Sequence, residues 1–311
     1  MKIALLFPGY GSQFVGMGKE LYDEYRIVQE YFEEASNCLN VNFVKLCFAS
    51  SDIELSKLAN AYTSLFLVGT ATYAVLKEHG IHPDIVAGYN NGESAALFAA
   101  GCFSLPDGLY LLNKFASFYQ EFIDSHDVGA LHVTGMEAAQ LEDMCIKAST
   151  DEYKVFVSIY NSAINHIVAG DRSALNQLQD MIDGAATMED VDPEIGLHSP
   201  LMNSVVISFK DYLEKVDFKD LKIPMISCID GAEITAGSDT KERFISFIDS
   251  ALDVQRMMRK LVDYDCILVA TPGDKLAQMV REYYPEKMVM SIAKKSDIDT
   301  LIEMKSIEQA P

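Results

Sequence analysis

The hexapeptide Gly88-Tyr89-Asn90-Asn91-Gly92-Glu93 has the spacing of a nucleophile elbow but no hydroxyl or thiol at its centre. The run Asp84-Ile85-Val86-Ala87 before it reads as a short buried strand. The run Ser94-Ala95-Ala96-Leu97-Phe98-Ala99-Ala100 after it reads as a helix. A strand, a glycine-flanked turn and a helix form the setting of a G-x-S-x-G motif. That motif lifts a serine to a helix N-terminus, where amides and dipole stabilise negative charge. Here the raised residue is Asn90, whose neutral amide cannot carry an ordinary acyl-enzyme. Ser94 lies one helical turn on, about 5–6 Å further along the axis, too far for one base to serve both positions.

Three other groups of residues could take part in chemistry at such a turn. Phe7-Pro8-Gly9-Tyr10-Gly11-Ser12-Gln13 follows the first apolar run. It can aim backbone amides at an oxyanion or serve only as a tight turn. It lacks GxGxxG spacing, which weakens any dinucleotide reading. His198, in Leu197-His198-Ser199-Pro200-Leu201-Met202, stands where a general base could. Taken alone, a histidine in such a loop is more often a packed residue. Asn161, in Tyr160-Asn161-Ser162, ends a strand and either makes a turn or faces a cleft.

The elements that must hold these residues alternate between strand and helix. Ile3 to Phe7 reads as a strand; Gly18 to Leu39, Ala59 to His79 and Leu109 to Ile123 read as helices. This order suggests a parallel sheet with helices on both faces. From 129 to 192 the rhythm changes to βαββαβ, the ferredoxin-like unit. Alternation then resumes, with strands at Met225 to Cys228 and Cys266 to Ala270 and a helix expected from Arg243 to Tyr264. The tail from Ser306 to Pro311 is expected to fray. The expected domains are therefore 1–128 plus 193–311 for the core and 129–192 for a small subdomain.

The 311 residues carry a formal net charge of -21, which speaks against a nucleic-acid partner or an anionic membrane surface. An acidic protein partner would need a local basic patch; Arg256, Arg259 and Lys260, or Lys294 and Lys295, are candidates, although a solvated helix face explains each. The six cysteines are scattered without a CxxC pair, as buried thiols would be. No run suits a signal peptide or membrane span, so a cytoplasmic location is expected. No metal site is expected.

Together the motifs resemble the malonyl-CoA:acyl carrier protein acyltransferase family, also used as acyltransferase domains in polyketide synthases. The resemblance runs from about residue 1 to 295. Phe7 to Gln13 match the family's FPGxGSQ loop, and Gly88 to Glu93 match its GHSxGE elbow in altered form. Asn161-Ser162-Ala163 keep part of an NSP turn, His198 to Met202 keep HSPLM, and Thr271-Pro272-Gly273 echo a late GPG turn. The resemblance implies an α/β-hydrolase-like core with an inserted ferredoxin-like subdomain and a cleft between them. It also implies ping-pong transfer from coenzyme A to the phosphopantetheine thiol of an acyl carrier protein, by a monomer without a cofactor. Carried over, His198 is the base, Tyr10 and Asn91 supply oxyanion amides, and Gly9, Tyr89, Phe115 and Asn161 line the substrate site. An orienting carbonyl falls between Ile248 and Leu252. Four departures stand out. Asn90 takes the serine's place, Tyr89 a histidine's, Tyr10 a glutamine's and Phe115 that of the malonate-binding arginine. Two readings follow: altered or residual acyl-thioester transfer, or a catalytically inactive relative that binds carrier protein or coenzyme A thioesters.

Overall fold

The computed structural model describes residues 1–182, 184–192 and 196–308. In chain order its strands are β1 (Ile3–Phe7), β2 (Ile85–Gly88), β3 (Val128–Thr134), β4 (Val155–Tyr160), β5 (Asn165–Asp171), β6 (Thr187–Val191), β7 (Met225–Ile226), β8 (Glu233–Ile234), β9 (Leu252–Asp253), β10 (Cys266–Ala270) and β11 (Met288–Ile292). Among the described residues they form two sheets, ordered β11-β10-β1-β2-β7-β8 and β6-β3-β5-β4-β9.

The larger sheet is parallel from β11 to β7, with β8 antiparallel on its edge. Every residue of β1 and β2 is buried. Such continuous apolar runs suit central parallel strands covered on both faces. The helix Leu58–Glu78 is buried along most of its length, unlike an amphipathic surface helix. It packs behind the elbow: a Cβ added at Gly69 would meet Phe7 at 3.2 Å and Ala95 at 3.6 Å.

The smaller sheet carries the βαββαβ order, with helices Ala138–Ala148 and Arg172–Ile182 between its strands. Strand β3 pairs antiparallel with both β5 and β6, and β4 with β5. Leu131, Val133, Leu141, Leu175 and Leu178 form part of a second core under it. The protein is thus an α/β fold with a parallel-sheet core and an inserted ferredoxin-like unit.

Three expected helices have different limits. The one expected over Gly18 to Leu39 is broken at Tyr25, which is extended, into Lys19–Glu24 and Arg26–Leu39. The one expected from Leu109 begins at Leu105; Ser104 caps its start, and Pro106 sits in the first turn, where its missing N–H costs nothing. The helix expected over Arg243 to Tyr264 does not exist as such. It runs Gly237–Asp249, the chain then extends as β9, and a short helix Val254–Arg259 follows. Strand β9 pairs in parallel with β4, so the return segment of the chain contributes a strand to the smaller sheet. The last helix, Lys295–Glu308, includes the start of the tail expected to fray; 309–311, and 193–195 at the expected domain boundary, lie outside the described residues.

Candidate active site

Strand β2 delivers the chain to the elbow, and close contact fixes its shape. A Cβ on Gly88 would lie 2.0 Å from the Glu93 nitrogen, and one on Gly92 would lie 2.3 Å from the Phe7 carbonyl oxygen. Asn90, between them, is held at φ 53, in the left-handed region that asparagine tolerates better than most residues. The loop after β1 folds directly over it: a Cβ on Gly9 would meet the Tyr89 oxygen at 2.3 Å and the Asn90 Cβ at 2.9 Å.

His198 comes from the loop ahead of helix Asn203–Leu213 and is buried. Its Nδ1 lies 2.8 Å from the Phe247 carbonyl oxygen and its Nε2 lies 3.2 Å from Asn90 Oδ1. Burial pushes its pKa down to about 4, against the pull of that carbonyl, so the ring is neutral near pH 7. A single proton on Nδ1, donated to Phe247, leaves a lone pair on Nε2 facing Asn90. The orienting carbonyl therefore belongs to Phe247, one residue before the window expected from the sequence. It is free to accept because it lies in the last turn of helix Gly237–Asp249, where carbonyls lack intrahelical partners.

The amides of Tyr10 and Asn91 lie beside this pair. The Tyr10 N–H donates to Asn91 Oδ1 at 2.6 Å, and the Asn91 N–H donates to Asn90 Oδ1 at 2.6 Å. Asn90 Oδ1 thus already accepts a backbone hydrogen bond where it approaches Nε2. Two acceptors face each other at 3.2 Å, and that approach becomes a hydrogen bond only if the imidazole takes a second proton. Tyr89 reaches across the cleft between the sheets, its hydroxyl donating to Asn161 Oδ1 at 3.1 Å, while the Tyr283 hydroxyl donates to the Asn161 carbonyl. A cleft of about 340 Å³ opens here, lined by Tyr89, His132, Asn161, Ser162, Lys275 and Tyr283 among others.

The structure brings Gly9, Tyr10, Tyr89, Asn90, Asn91, Asn161 and His198 together at one site. Phe115 sits deeper, in an aromatic stack with ring centroids 5.9 Å from Tyr62, 5.6 Å from Tyr119 and 5.7 Å from Phe209. It reaches the site through neighbours: Tyr62 packs on Tyr10, and the Tyr119 hydroxyl accepts from the Leu197 N–H. Among the described residues, no group of three or more His, Cys, Asp or Glu side chains is placed to hold a metal ion, and no helix is long and apolar enough to cross a membrane.

One polar contact has no signature in the sequence. Glu93 Oε2 accepts from the Cys228 N–H at 3.1 Å and from its Sγ at 2.6 Å, under the elbow. Burial raises Glu93 from 4.5 to about 7 and pushes the Cys228 thiol well up. A carboxyl raised on folding stabilises the protein most below 4.5, and that contribution is lost as pH rises through about 7. His198, lowered from 6.5 to about 4, acts oppositely and destabilises as pH falls between those values. Glu93→Gln should remove the first effect alone, because its amide oxygen can still accept from Cys228. Its stability relative to wild type should rise from about pH 5 to about pH 8.5, by at most about 3 kcal/mol. A difference constant across denaturation midpoints in that range would show that Glu93 is not held protonated.

Known proteins resemble this chain over most of its length. The acyl transferase domain model matches residues 4–251. The malonyl CoA-acyl carrier protein transacylase of Bacillus subtilis (strain 168) is 28% identical over 306 residues, covering 97% of this chain and 96% of the relative. The malonyl CoA-acyl carrier protein transacylase of Coxiella burnetii has the same fold, with TM-score 0.92 at 22% identity over 97% of each chain. So does a malonyl-transacylase solved in complex with its type II PKS acyl-carrier protein, with TM-score 0.91 at 21% identity over 98% of this chain and all of that one. With the family model spanning the elbow, the His198 loop and the Phe247 carbonyl, the chain belongs to the acyl transferase domain family.

Proposed function

We propose that this protein is a malonyl-CoA:acyl carrier protein acyltransferase homologue of fatty-acid or polyketide assembly that engages coenzyme A or carrier-protein thioesters without forming an acyl-enzyme. The observation that carries this reading is Asn90 at φ 53 facing the base, 3.2 Å from His198 Nε2. An elbow position, a neutral base and a carbonyl that fixes its tautomer are present, while the group turned to the base is an amide. Tyr10 and Asn91 supply the oxyanion amides, and Gly9, Tyr89 and Asn161 line the site, with Phe115 in the aromatic layer behind it. Phe115, stacked among aromatic rings, offers no charge to a malonyl carboxylate, so malonyl is not the preferred group. The polar cleft at Tyr89 and Asn161 suits the amide-bearing arm of phosphopantetheine. The core comprises 1–128 plus 193–311 and the small subdomain 129–192; the protein acts as a monomer in the cytoplasm, with no cofactor.

A second reading rests on the same His198 contact with Phe247. A base kept neutral and oriented can deprotonate a thiol for direct attack on a bound thioester. Incubating the protein with a panel of acyl-coenzyme A thioesters and a holo carrier protein, then weighing both proteins intact, separates the two. Carrier binding with no acyl group on either protein is the expected result. Carrier acylated with no adduct on this chain would establish direct transfer. A stable adduct on this chain, lost when Asn90 is replaced by Ala, would overturn both readings.

A further inference from the structure

Resting on the proposed assignment of the oxyanion amides, we propose that Asn91 is a second, independent block on the site: its side chain caps the Tyr10 amide and closes the oxyanion pocket even if a nucleophile is restored at position 90. Two side-chain carbonyls fill this pocket, each on a different donor. Asn90 Oδ1 takes the Asn91 N–H, and Asn91 Oδ1 takes the Tyr10 N–H, both at 2.6 Å. These are short, buried hydrogen bonds, and a tetrahedral oxyanion would have to displace both acceptors. The Asn91 side chain is packed in place, with its Oδ1 3.0 Å from where a Cβ on Gly9 would stand. Asn90→Ser therefore opens one donor and leaves the other occupied. Losing a single oxyanion donor typically costs about 100-fold to 1,000-fold in rate, and the cap on Tyr10 amounts to that loss.

The test uses a fluorophosphonate, which phosphonylates an activated serine hydroxyl with loss of fluoride and places its phosphonyl oxygen in the oxyanion pocket. The serine O–P bond forms, the P–F bond breaks, and His198 takes the hydroxyl proton. Labelling is followed by intact mass for Asn90→Ser alone and combined with Asn91→Leu or with Asn91→Asp. Removing the cap with leucine should speed labelling about 100-fold, whereas aspartate, which keeps an oxygen on the Tyr10 N–H, should leave it as slow as Asn90→Ser. Equal rates in all three would overturn the proposal. Should none of them label, hydrogen exchange at the Tyr10 amide decides. Exchange faster in Asn91→Leu, or in Asn91→Ala should leucine not fold, than in wild type supports the cap, and unchanged exchange overturns it. Neither readout needs a carrier protein or thioester, so failure of the proposed function would leave this result standing.

Discussion

Gly88→Ala should destabilise the protein by about 4 kcal/mol or more, a large share of a typical domain's stability. The added methyl would lie 2.0 Å from the Glu93 nitrogen, 2.2 Å from the Gly92 carbon and 2.3 Å from the Glu93 Cα. All three are backbone atoms of the turn, so no side chain can swing aside. The strand behind cannot retreat, because β2 lies between β1 and β7 with every residue buried. Gly135→Ala is the control. That glycine has φ 97 but nothing within 4 Å of its added Cβ, so the change should cost only about 1–2 kcal/mol of backbone strain. Urea midpoints for the two variants make the comparison. Similar losses at both would mean that the elbow is looser than its close contacts require.

Phe115→Arg should destabilise by about 3–5 kcal/mol and should not by itself create a malonyl site. The phenyl ring is buried between Tyr62, Tyr119 and Phe209. A guanidinium there would be taken out of water among rings, and the buried Glu93 carboxyl near the elbow is already engaged with Cys228. Malonyl-coenzyme A should therefore raise the variant's melting temperature no more than acetyl-coenzyme A does, and a rise specific to malonyl-coenzyme A would show that a carboxylate pocket persists there. A Phe115→Arg variant as stable as wild type without ligand would show that the stack is not the close-packed filling described.

Much of the site was legible because it is local. The glycines of Gly88 to Glu93 mark an elbow whichever residue stands between them, and the close backbone approach at Gly88 and Gly92 confirms why they are there. The change from parallel alternation to βαββαβ was likewise written in strand and helix lengths, and the observed sheets follow it. The break at Asp249 was not. Arg243 to Tyr264 is helical in composition throughout, and the pairing of Leu252 and Asp253 with β4 overrides that preference. The slip had a consequence for the site: a continuous helix would have occupied the Phe247 carbonyl, whereas the shorter one leaves it for His198.

The sequence by itself determined the family resemblance, the elbow and the identity of the residue at its centre, because each depends on neighbouring residues and short-range geometry. Only the tertiary structure decided which carbonyl holds His198, that Glu93 and Cys228 meet under the turn, and that the Asn90 and Asn91 side chains lie on the Asn91 and Tyr10 amides. Those contacts join positions as much as 135 residues apart, or turn on a side-chain rotamer. Spacing along the chain specifies neither; packing of the assembled core selects both.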